Sequence, residues 1–72
     1  MSYQVRMTVG PAWVQQWRDR ISTLPACAGV TAGTEHVYFT IEAADPDDAR
    51  ARLRALFGNN VESRYGYAAI LT

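Results

Sequence analysis

Apolar and polar side chains alternate from Tyr3 to Val9, with Val5, Met7 and Val9 on one side and Gln4, Arg6 and Thr8 on the other. A period of two is that of a strand with one buried face. Gly10-Pro11 interrupts the alternation, and proline at a first helical position gives up an amide that has no partner there anyway. The spacing then changes to three and four: Val14, Trp17, Ile21 and Leu24 form one stripe, while Gln15, Gln16, Asp19 and Arg20 point away. This predicts a helix from Pro11 to about Leu24, stopped by Pro25.

The second half repeats the alternation of elements. Ala26 to Ala32 has small side chains around Val30, and a Gly33-Thr34 turn leads into a strong strand from Glu35 to Glu42; the two read as a hairpin. In the second of these strands Val37, Phe39 and Ile41 share one face, and His36, Tyr38 and Thr40 the other. Asp45-Pro46-Asp47-Asp48 combines a capping carboxylate, a first-turn proline and two acids placed where a helix dipole favours negative charge. The helix it starts buries Ala49, Leu53, Leu56 and Phe57 and ends at Gly58-Asn59-Asn60, residues suited to a left-handed terminus. A last strand is expected from Val61 to Leu71.

The order strand, helix, strand, strand, helix, strand predicts an α+β fold, the ferredoxin-like βαββαβ two-layer sandwich. Right-handed crossovers put both helices on one face of a four-stranded antiparallel sheet of order 4-1-3-2, and 72 residues leave room for one domain, 1–72. The topology hosts many unrelated activities.

Charge and chemistry narrow the functions. Seven arginines balance seven acids, so no overall field holds nucleic acid or an anionic membrane. The absence of lysine and the many alanines fit a GC-rich bacterial or phage coding genome. With Cys27 as the sole cysteine no internal disulfide forms and a reducing cytoplasm is expected; no long apolar run suggests a leader or a membrane span. His36 lacks a second ligand, so neither a metal nor another cofactor is expected. Cys27 reads as a small buried hydrophobe on the short strand. Asp47 and Asp48 read as first-turn acids paired with Arg50 and Arg52.

If the helices cover the Val5, Val9, Val37, Phe39 and Ile41 face, the opposite face is left open. Gln4, Arg6, Thr8, His36, Tyr38 and Thr40 lie on it, with Glu62 and Arg64 from the last strand; Gly66 leaves the facing of Tyr65 and Tyr67 undecided. The stretch His36-Val37-Tyr38-Phe39-Thr40-Ile41, with Glu42 and the acid-capped helix after it, resembles the third-strand motif of RNA recognition modules. That resemblance implies base stacking on His36 and Tyr38; Arg6 stands where those modules carry an aromatic residue. The rhythm Leu24-Pro25 through Gly29-Val30 is similar to that of heavy-metal-associated domains. Val9-Gly10-Pro11-Ala12-Trp13 lacks the two thiolates such domains use to hold a soft ion.

The expectation is therefore a noncatalytic interaction or regulatory module, a phage or bacterial inhibitor being one form of it. Its open face would bind a protein partner or a second copy in a homodimer through Arg6, Thr8, His36, Tyr38 and Arg64. Trp13, at the edge of the first helix's stripe, is read first as core packing and second as a partner anchor. Single-stranded nucleic acid on the same face is the alternative, and a small enzyme with a site formed between subunits the third.

Overall fold

In a computed structural model of the chain, residues 1–58 and 67–71 are described. Strands β1 (Ser2–Thr8), β2 (Ala28–Ala32) and β3 (His36–Glu42) form an antiparallel sheet with β3 in the middle, and helices α1 (Val14–Ser22) and α2 (Pro46–Phe57) complete a small α+β fold. β1 and β3 pair without interruption from Ser2 opposite Glu42 to Thr8 opposite His36. Because directly opposed residues share a face, this register stacks the two apolar rows. Val5, Met7, Val37, Phe39 and Ile41 are all buried under the helices.

Ile21 of α1 and Ala49 and Leu53 of α2 close over those rows, and Trp17, Leu24, Leu56 and Phe57 pack at the margin. Aromatic edges bridge the layers: Phe57 lies 6.0 Å from Phe39 and 6.1 Å from Trp17, centroid to centroid. Tilted arrangements at these distances suit the ring quadrupoles.

The helices start differently. Asp45 Oδ1 accepts from the Asp48 amide at 2.8 Å, and Asp48 Oδ2 accepts from the Ala44 amide at 2.9 Å. The two carboxylates thus satisfy amides on either side of the boundary, as in a reciprocal cap. Asp47 and Asp48 pair with Arg50 and Arg52 at 3.3 and 3.0 Å, as their spacing predicts. α1 starts later than Pro11. Gly10, at φ +86°, turns the chain, the Trp13 amide returns to the Gly10 carbonyl at 3.1 Å, and helix begins at Val14 with no side-chain cap.

β2 pairs with β3 as the hairpin reading requires, through a Gly33 amide to His36 carbonyl bond of 2.7 Å. Its register shifts between Ala28 and Thr31, and Gly29 sits there at φ +61°, where a Cβ would be strained. Cys27 is buried just before β2 rather than on it. The expected residues Asn59, Asn60, Val61, Glu62, Arg64, Tyr65 and Gly66 lie outside the described residues. At residue 71 the chain is beside β1, where the Leu71 amide donates to the Gln4 carbonyl at 2.8 Å.

Candidate functional site

Alternation along β1 and β3 sends every second side chain to the face opposite the helices. Pairing places Arg6 directly across from Tyr38, Thr8 across from His36 and Gln4 across from Thr40. Four of the expected site residues, Arg6, Thr8, His36 and Tyr38, are therefore neighbours on one surface, each partly buried. Arg64 lies outside the described residues. Trp13 is elsewhere, at the N-terminal boundary of α1, and is 56% exposed. Its position at the edge of the stripe leaves it half exposed, just ahead of the first helical turn.

The open face is knitted together sideways. Thr8 Oγ1 and His36 Nδ1 share a hydrogen bond of 2.9 Å, and His36 Nε2 lies 3.5 Å from Glu35 Oε1. His36, without a second histidine beside it among the described residues, thus has a hydroxyl and a carboxylate as neighbours. Hydroxyl, imidazole and carboxylate stand in sequence, but Glu35 is exposed and its contact long, an arrangement that orients the ring more than it activates the hydroxyl. The His36 and Tyr38 rings meet edge to face at 6.0 Å. Tyr38 also covers Gly33, where a Cβ would come 3.3 Å from Tyr38 Cε2. At the other end Thr40 Oγ1 donates to the Ala28 carbonyl at 3.1 Å, and the Ser2 hydroxyl donates to Glu42, whose carboxylate also lies 3.3 Å from the Met1 amino group. The Ser2 hydrogen bond, followed by the amino group, holds Glu42 below its ordinary pKa.

Arg6 differs from these neighbours. Its Nε is buried and has no hydrogen-bond partner, although the residue keeps part of its surface open. Among the described residues, Arg18, Arg50 and Arg52 have carboxylates at 3.0 to 3.3 Å and Arg20 lies over the Trp17 ring at 5.0 Å. A buried charged donor without an acceptor is uncommon and calls for an explanation.

Three contributors were missed. Thr31 stands opposite Tyr38 across β2 and β3, and counting outward from Gly33 opposite His36 in the turn would have placed it there. Glu35 precedes His36 in the same turn. Gly33 was read only as a turn former. Cys27 takes no part, and burial raises its thiol pKa, which leaves it protonated and unreactive at neutral pH.

Among the described residues no group of three histidine, cysteine or carboxylate side chains is arranged to hold a metal, and no helix is long and apolar enough to cross a membrane. Comparison with protein-family models, with curated proteins and with solved structures finds no match.

Proposed function

We propose that the chain is a noncatalytic protein-interaction module whose open sheet face docks onto another protein surface. The observation that carries this reading is the cluster around Arg6: a guanidinium with a buried, unpaired Nε beside the half-buried Tyr38 ring. Every other described arginine with a named partner is neutralised or stacked on its own element. Arginine and tyrosine are the residue types that most often anchor protein interfaces. A two-layer α+β domain leaves its second sheet face uncovered, so association can bury what folding does not.

The fold proposed with it is the complete ferredoxin-like sandwich. In it Tyr67–Ile70 forms β4 on the outer side of β1 and the strand order is 4-1-3-2. The register of Val5 opposite Ile70 and the Leu71 to Gln4 hydrogen bond support that placement.

Site-specific photo-crosslinking tests the function. A photoreactive side chain at Thr40, on the open face, is expected to give discrete adducts in the expressing cell, and one at Gln16, on the outer side of α1, none. Adducts from Gln16 alone would move the interface to the helix layer and to Trp13. Single-stranded nucleic acid is the second reading, favoured by the His36–Tyr38 ring pair, which offers a stacking platform. It predicts copurifying absorbance at 260 nm that is lost in high salt.

A further inference from the structure

Resting on the open-face reading, the geometry points to the chemistry of the partner: we propose that Arg6 receives a carboxylate from an acidic, extended segment of a different protein chain. Among the described residues no acceptor reaches Arg6 Nε. Tyr38 lies opposite, and Thr8 and His36 are bonded to each other one pair along. Of the carboxylates near the margins, Glu42 is held by Ser2 and the Met1 amino group, and Glu35 lies 3.5 Å from His36, beyond the Thr8–His36 pair. Among the described residues no carboxylate of this face is paired with the guanidinium, which presents donors in a planar fork that fits a carboxylate two bonds at a time. Nε is covered while the residue keeps part of its surface open. An arriving carboxylate draws it outward and satisfies a donor that folding leaves unpaired.

Charge decides between occupants. In the described β1–β3 ladder the Arg6–Tyr38 pair is next to the central pair, Val5 and Phe39. A second copy stacked about a two-fold axis there would set one Arg6 against the other, a like-charge contact without a counterion. A phosphodiester chain needs a track of free cations. Arg18, Arg50 and Arg52 are bound to carboxylates, and the chain's formal net charge is zero.

The test is a titration of the ¹⁵N-labelled full chain with a blocked hexaglutamate peptide, to roughly 1 mM, the range of a weak single-site contact. Arginine side-chain and backbone amide signals are followed in parallel with an oligothymidine titration. The expected result is a saturable shift of the Arg6 Nε–H signal together with the Arg6, Thr8 and Tyr38 amides. Arg6→Met is expected to weaken it about tenfold or more and Arg6→Lys to restore part of the loss, since lysine keeps charge without the fork. Unchanged spectra for the rest of each variant confirm that it is folded. Open-face shifts indifferent to Arg6→Met would overturn the carboxylate site and leave the open-face reading standing, whereas shifts centred on Arg18, Arg50 and Arg52 would sink both. No shift with the peptide, a stronger response to oligothymidine, or a dimer by light scattering that Arg6→Met disrupts would each overturn the acidic partner.

Discussion

The two faces of the β1–β3 ladder are built from adjacent residues and are stabilised in different directions. On the covered side Val5, Met7, Val37 and Phe39 are closed over by Ile21, Ala49 and Leu53 from the helix layer. On the other side the residues between them are half-buried by one another: Thr8 by His36, Tyr38 by Gly33 and His36, Thr40 by the Ala28 carbonyl. The covered face gains by removing apolar area from water, the open face by pairing polar groups along the strands. If the open face binds a partner as proposed, the difference separates stability from recognition: among the described residues Arg6 Nε is the buried side-chain donor that the lateral network leaves unsatisfied, and a third layer would gain most there.

Neighbouring residues on β3 give the strongest test of that division. Phe39 is fully buried and touches Phe57 across the layers, so Phe39→Ala is expected to lose about 3–5 kcal/mol. A domain of this length has a total stability of order 4–10 kcal/mol. Tyr38→Ala, one residue away and held mainly by cross-strand neighbours, is expected to lose about 1 kcal/mol or less. Urea denaturation of both variants measures the contrast, and equal losses would break it by showing that the open face is as tightly built as the core.

A smaller effect sits at the far end of the open face. The Ser2 hydroxyl, and after it the Met1 amino group, hold the Glu42 carboxyl below its ordinary range. A depressed carboxylate contributes stability that is complete above its unfolded-state value and is lost as pH falls through the lower folded value. The wild type is therefore expected to lose stability across the acid side of that window, and Glu42→Gln to flatten this part of the profile with little change at neutral pH. Thermal melts between neutral and acid pH read it directly; an unchanged acid slope in the variant would show that the seam at Ser2 contributes nothing.

Legibility in the sequence follows the range of the interactions. The α2 start was readable because Asp45, Pro46 and Asp48 act within one turn. The buried and open rows of β1 and β3 were readable because alternation is local. The α1 start was misplaced because Pro11 is equally at home in a turn, and a backbone bond from Trp13 to Gly10 took the chain through one. The register shift in β2 left little trace among alanine, glycine, valine and threonine. Arg6, Thr8, His36 and Tyr38 were assigned to one face by parity, but the Thr8–His36 bond spans 28 residues of sequence. It exists only because the crossover through α1 and the β2–β3 hairpin deliver one register. Burial of a single guanidinium nitrogen is further still from local pattern, since it depends on how surrounding side chains close over one atom.

That atom supplies the smallest expected change and the sharpest distinction between the faces. Arg6→Met keeps an unbranched apolar stem over the sheet while removing the charge and the unpaired donor. Losing a packed stem destabilises; losing a buried donor that has no acceptor stabilises, by about 1–3 kcal/mol when the penalty is undiluted. Partial exposure of Arg6 reduces that penalty, so the variant is expected to match the wild type or exceed it by up to about 1 kcal/mol. For a domain of this size that is a rise in Tm of at most about 8 °C. Differential scanning calorimetry at neutral pH measures it. A loss larger than about 1 kcal/mol would mean that the guanidinium is part of what holds the open face together. A neutral or stabilising result shows that folding does not require the charge at this position, as the proposed recognition role demands.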